Sequence, residues 1–273
     1  MIHGADTTQQ NSVNSLNYVL LMIFLAILGT VGVIYYNNSH LKEIEEPLFS
    51  YTEPTRIDQP STLTNEPTSV TKYSHDYTIP AVKNGLAPVL SKIPTKQNVV
   101  FLGIDDGANK KDEELKLLEG NQVYASLYLA RRFITDNPQF FKPFEYGGSV
   151  IEDHSLTHRL LSGVSYAEQK QEICGMADYI RTTYGHSPTF FRPPGGSYDE
   201  NTQKATADCG MKAVVLWHAK ANGGSMQYQN GHGLVAGDIV LMHFRPEFAK
   251  DLQAFLDAQK AAGLHTELLE DWL

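Results

Sequence analysis

The sequence predicts an α/β domain over residues 85–273, built on a parallel sheet or a compact barrel. Three observations predict it. Short apolar runs alternate with helix-patterned stretches from about Gly85 onward, the order that lays strands parallel. Seven strand candidates fit the span: 98–104, 122–129, 149–153, 189–192, 212–217, 238–243 and 264–268. The first of them, Val99-Val100-Phe101-Leu102-Gly103-Ile104-Asp105-Asp106-Gly107, rises through apolar residues to two adjacent carboxylates and stops at a glycine. A strand buried on both faces reads this way when it delivers charge to a site at its C-terminal end.

Ahead of that domain the chain divides into three segments. Residues 1–17 are polar, carry no Lys or Arg, and read as a flexible tail. Residues 18–36 carry no charge and have Tyr18, Tyr35 and Tyr36 at their ends. At the helical rise they span about 28 Å, close to the hydrocarbon thickness, with aromatic residues where a membrane interface would lie. A signal peptide would start basic and end at a small-residue cleavage site. The segment is therefore expected to be an uncleaved single-span membrane anchor, with a cleaved signal as the alternative. Lys42, the nearest cation after it, argues for a cytoplasmic C-terminal side, a rule that long following domains escape. Residues 37–84 hold Pro47, Pro54, Pro60, Pro67 and Pro80 among Ser, Thr and Glu without a sustained period, and read as a linker or stalk.

Composition narrows the function. A net charge of -9 does not favour a nucleic-acid partner. The two cysteines, Cys174 and Cys209, lack metal-ligand spacing; they are expected to be buried free thiols, with a single disulfide as the alternative. Within the domain the clearest helix is 166–184, where Ile173, Met176, Ala177, Ile180 and Tyr184 share a face and Gly185 follows as a stop. A second is expected over about 247–262, with Phe248, Leu252, Phe255 and Leu256 inward and Gly263 after it.

The strand ends carry the chemistry. After the third strand comes Asp153-His154-Ser155-Leu156-Thr157-His158. A helical turn would put both imidazoles on one face. Two imidazoles and one carboxylate leave a metal an open position, as in a catalytic zinc site. Alone, the His pair reads as two surface or core histidines, and Asp-Asp-Gly as turn chemistry; together they support each other. One acid would hold the metal while the other, facing the opposite way, takes a proton from water. After the fourth strand, Arg192-Pro193-Pro194-Gly195-Gly196 offers bare backbone N–H groups for an oxyanion and an Arg to orient a carboxylate, or simply a structural loop. The fifth strand ends in Trp217-His218 and the sixth in Leu241-Met242-His243. His243, at a strand end, is the candidate general acid.

These pieces, in this order, resemble the polysaccharide deacetylases with NodB homology, carbohydrate esterase family 4, over roughly residues 95–273. The family's Thr-Phe-Asp-Asp-Gly appears as Gly103-Ile104-Asp105-Asp106-Gly107, and its His-Ser/Thr-x-x-His as His154-Ser155-Leu156-Thr157-His158. Its Arg-x-Pro motif appears as Arg192-Pro193-Pro194-Gly195-Gly196, and its Leu-x-His as Leu241-Met242-His243. The resemblance implies a distorted (β/α)7 barrel and metal-dependent removal of N- or O-acetyl groups from a polysaccharide. It implies Asp105 as general base, and Asp106, His154 and His158 as ligands of a divalent metal, expected to be zinc. The N–H of Gly195 would serve the oxyanion, with Pro194 and Trp217 beside the substrate, and His243 would protonate the leaving amine. The family's fourth motif supplies an acid that pairs with the Arg. Here Trp217 is followed by His218-Ala219-Lys220-Ala221-Asn222-Gly223-Gly224, which leaves Arg192 without that partner. The expected function is a membrane-tethered deacetylase of an amino-sugar polymer such as peptidoglycan, its domain outside the cell. Rival readings are a non-catalytic wall-glycan-binding module and a hydrolase of small acetylated molecules.

Overall fold

The computed structural model describes residues 75–272. The expected tail and anchor, and residues 37–74 of the stalk, lie outside the described residues. Among the described residues, no helix is long and apolar enough to cross a membrane.

In chain order the elements are β1 (Val89–Leu90), β2 (Val99–Asp106), α1 (Asp112–Gly120), β3 (Ser126–Leu129), the short helices α2 (Arg131–Ile134) and α3 (Lys142–Tyr146), and β4 (Val150–Asp153). There follow α4 (Tyr166–Tyr184), β5 (Phe190–Phe191), α5 (Glu200–Asp208), β6 (Ala213–Val215), β7 (Ala219–Asn222), β8 (Ser225–Tyr228), β9 (Ile239–His243), α6 (Phe248–Ala262) and β10 (His265–Glu267). The strands make one sheet in the order β1-β6-β5-β4-β3-β2-β9-β7-β8, with β10 paired to β2. Every pairing between these strands is parallel except β7 with β8.

The expected barrel is thus corrected to a curled, mixed half-barrel that ends at β1 and β8. The cause lies after β6. The expected strand 212–217 stops at Val215, and the chain crosses to the far side of the sheet to add a hairpin beside β9. Gly223 and Gly224 turn that hairpin with φ of 64° and 77°, the left-handed pair that a two-residue connection requires.

β2 explains why its sequence is apolar throughout. All eight of its residues are buried. Val100, Leu102 and Ile104 face the helix layer, packing with Leu127, Leu129, Val240, Met242, Phe255 and others. Val99 and Phe101 face the concave side, with Tyr128, Phe190, Val215 and Ile239. Side-chain alternation then places Gly103 and Asp105 on the concave side too.

α4 has the expected bounds. Ser165 accepts a hydrogen bond from the Glu168 N–H at its start, and Gly185 closes it with φ 92°. Ile173, Met176 and Ile180 are fully buried, each stabilising by about 1.5–3 kcal/mol.

Two expectations about this region are corrected. Cys174 of α4 and Cys209 after α5 form a disulfide with a Cα–Cα distance of 5.1 Å, not free thiols. One cysteine lies within α4 and the other at the C-terminal cap of α5, which pack together, a pairing sequence spacing does not reveal. The bond closes a 35-residue separation, which the chain-entropy relation values at about 4 kcal/mol. The domain also starts before residue 85. Tyr77 and Ile79 pack on the concave cluster, the His75 ring lies 5.1 Å from that of Trp272, and Asp76 accepts a 3.0 Å hydrogen bond from the Lys96 N–H. Two apolar residues among prolines are too brief a pattern to mark that boundary.

Candidate active site

The ends of β2, β4, β5, β7 and β9 surround a cavity of about 260 Å³, whose lining includes Asp105, Asp106, His154, His158, Gly195, Trp217, Leu241 and His243. A larger hollow of about 510 Å³, bounded by Asn121, Gln253 and Lys260, includes none of these groups.

Asp105 and Asp106 line the same cavity, whereas strand alternation alone would send them to opposite faces. Asp106 has φ 78° and Gly107 φ 78°, so the alternation breaks where the strand ends. Such backbone in a non-glycine residue costs of order 1–3 kcal/mol and is typical of functional sites. Gly107 cannot take a side chain: a Cβ there would lie 2.6 Å from Ile134 Cγ2.

The two histidines do not lie on a helical turn, and that expectation is corrected. Residues 154–158 form an irregular loop after β4, with φ 74° at Ser155 and 59° at His158. Hydrogen bonds shape it. The Ser155 N–H donates to Asp153 Oδ1 at 2.8 Å and the His158 N–H to Ser155 Oγ at 3.1 Å. Glu172 of α4 accepts from the Thr157 N–H at 2.8 Å and from its hydroxyl at 2.7 Å. His154 Nδ1 lies 2.6 Å from the Arg192 carbonyl, a contact that turns Nε2 toward the acids, as outer partners of metal-binding imidazoles do.

One ligand atom from each of Asp106, His154 and His158 can be chosen so that all lie within 4.8 Å of one another. Asp106 Oδ1 stands 3.1 Å from His158 Nε2 and 3.7 Å from His154 Nε2, yet it is buried without a directed hydrogen bond. An orphaned carboxylate oxygen between two imidazoles fits a divalent cation. Protonation agrees. Burial holds the His154 ring neutral, its pKa pushed down to about 3. Burial pushes the Asp106 carboxyl up, but His158 and His154 beside it bring it below the ordinary aspartate value. Both groups are in the state a metal requires.

Asp105 is wired differently. Its Oδ1 accepts from Arg192 Nη1 at 2.6 Å, with both side chains buried. Burial holds the Asp105 carboxyl above the ordinary 3.8, against the pull of Arg192 and His243. Across the sheet, Asp105 is in register with His243 on β9 and with Tyr128 on β3. Burial also lowers the His243 pKa, against the pull of Asp105.

Arg192 does not line the cavity; it stands behind Asp105. The acid absent after Trp217 is not replaced by another acid. The guanidinium carbon lies 3.9 Å from the centroid of the Tyr128 ring, Nε donates to the Val215 carbonyl at 3.3 Å and Nη2 to that of Leu216 at 3.4 Å. A ring face and two carbonyls hold the charge. Gly103 makes the approach possible, because a Cβ there would stand 2.4 Å from Arg192 Nη1. Pro194 is buried and outside the cavity lining. In the turn Pro194–Gly196, Gly196 and Ser197 donate to Pro193 and Pro194, leaving the Gly195 N–H outside those bonds. Trp217 shares the wall, its ring 3.0 Å from where a Gly196 Cβ would stand.

Sequence reasoning missed Lys220, Asn222 and Arg245, which also line the cavity. Lys220 and Asn222 sit on β7, whose alternation buries Ala219 and Ala221 in the helix layer and turns these two toward the concave side. The Gly-Gly pair between two short alternating runs was the available signal.

Comparison with known proteins bears on the family and the fold. Residues 92–214 match the family model described as polysaccharide deacetylase. An uncharacterized protein of Streptomyces coelicolor is 35% identical over 202 residues, covering 69% of this chain and 78% of its own. The peptidoglycan-N-acetylglucosamine deacetylase of Bacillus cereus is 25% identical over 161 residues, covering 56% of this chain and 75% of its own. Among solved folds, a CE4 family pseudoenzyme from Bacillus anthracis superposes with a TM-score of 0.59 at 20% identity, over 68% of this chain and 69% of that one.

Proposed function

We propose, because the chain belongs to the polysaccharide deacetylase family, that it is a metal-dependent hydrolase removing N-acetyl groups from an amino-sugar polymer such as peptidoglycan. The convergence of Asp106, His154 and His158 around an unsatisfied carboxylate oxygen, with Asp105 beside them, carries this reading. Bound there, a divalent ion, for which zinc suits two imidazoles and a carboxylate, would polarise the acetyl carbonyl and acidify water. Asp105, held by Arg192, takes the proton of the attacking water. The Gly195 N–H donates to the developing oxyanion. His243, on the strand beside Asp105, passes a proton to the departing amine nitrogen.

The same reading places the domain at the cell surface, tethered through residues 18–36 and spaced by the stalk. The Cys174–Cys209 disulfide supports an oxidising setting. A non-catalytic reading would rest on the missing fourth-motif acid; the Arg192–Asp105 ion pair weakens that ground.

Acetate release decides the matter. Purified protein is expected to free acetate from peptidoglycan or N-acetylglucosamine oligomers. A chelator is expected to cut the rate by about 10³-fold, the several kcal/mol a Lewis acid supplies, with recovery on adding zinc. Glycan binding without acetate release, with zinc present, would favour the binding module. A rate indifferent to chelator would remove the metal from the account.

A further inference from the structure

The cavity carries a positive wall that the chemistry above does not use. Lys220 and Arg245 both line it, in a chain whose net charge is -9. Arg245 is partly committed: Nη1 donates to Asn222 Oδ1 at 3.4 Å and Nη2 lies 3.8 Å from Asp106 Oδ2. Lys220 is half-buried, and among the described residues its ammonium is in none of the ion pairs, hydrogen bonds or ring contacts found. A cation lining a cavity without a counter-charge is free to receive an anion there. Its place on the sheet sets where that anion sits. Lys220 is in register with Leu241, two residues before His243, so its backbone lies about 7 Å along the strand from the His243 level. That separation suits a substituent on the reacting sugar or on its immediate neighbour.

We propose that Lys220, with Arg245 beside it, is an anion-reading subsite, and that the acetylated sugar presented to Asp105 and His243 carries a carboxylate on itself or on the adjoining residue. This deepens the deacetylase reading and rests on it. Two sources share the chemistry: a carboxyalkyl ether on the amino sugar, as in a muramoyl residue, and a neighbouring uronic acid.

The test compares acetate release from four probes: peptide-free peptidoglycan strands with free lactyl carboxylates, the same strands with those carboxylates converted to methylamides, N-acetylglucosamine oligomers, and oligosaccharides alternating glucuronate with N-acetylglucosamine. Full-length protein is expected to show kcat/KM about tenfold or more higher on free-carboxylate strands than on methylamide strands, the size of one charge-assisted hydrogen bond. The preference should reside in KM and shrink with added salt. Lys220→Met should bring that ratio toward one, and Lys220→Arg should restore it. Preference for the alternating oligosaccharide over the neutral oligomers, without a preference between the two strand forms, assigns the carboxylate to the neighbouring sugar. Equal rates on charged and neutral probes overturn the subsite while leaving the deacetylase reading standing, as does a preference that Lys220→Met leaves intact. Acetate from no probe overturns the deacetylase reading, and the subsite with it.

Discussion

Asp105→Asn is expected to lower kcat by about 10²–10⁴-fold, the range for loss of a positioned general base, while zinc content measured by elemental analysis stays at the wild-type level. The split follows from the wiring. Asp105 spends one oxygen on Arg192 at 2.6 Å, and its other oxygen lies 3.6 Å from His154 Nε2. The candidate ligand cluster comprises Asp106, His154 and His158 without it. An amide keeps an oxygen for Arg192 but cannot accept a proton from water. Asp106→Asn should differ, losing metal and turnover together. Wild-type turnover by Asp105→Asn would make the base assignment wrong, and loss of zinc by it would make Asp105 a ligand.

Arg192→Met is expected to destabilise the domain by about 3–5 kcal/mol in urea unfolding at neutral pH, because a buried carboxylate would lose its counter-charge. Burial already raises the Asp105 pKa, and Arg192 is the foremost influence opposing that rise. Without Arg192 the folded-state pKa climbs further above the unfolded one. The folded protein then binds more protons than the unfolded chain, so the variant's deficit should grow as pH rises through the raised pKa and shrink on acidification. A variant as stable as wild type at every pH would show that buried Asp105 does not depend on the Arg192 charge.

Much of this architecture was legible in the residues. The apolar run of β2, the amphipathic period of α4 and the order of strand ends all encode local burial, which a one-dimensional pattern carries well. What escaped depends on backbone geometry or on distant pairing. The His154-to-His158 spacing suggested a helical turn, but left-handed Ser155 and His158, tied by Asp153 and Glu172, form an irregular loop instead. Asp106 joins Asp105 through its positive φ, which no residue code announces. The Cys174–Cys209 bond and the hairpin β7–β8 depend on where α5 and β9 pack. Arg192 lacks the fourth-motif acid, and its support is Asp105 itself together with an aromatic face, two carbonyls and a space, none of which the sequence around Trp217 signals.

That space ties two positions of the sequence together. The family pattern has threonine where this chain has Gly103. Consensus engineering would restore the threonine as an improvement, yet its Cβ would fall 2.4–2.8 Å from three atoms of a guanidinium already fixed by Asp105 and two carbonyls. Position 103 is therefore epistatic with position 192. A threonine placed at 103 alone would push the guanidinium off Asp105, so a change that moves the sequence toward the family pattern would move this site away from its own geometry.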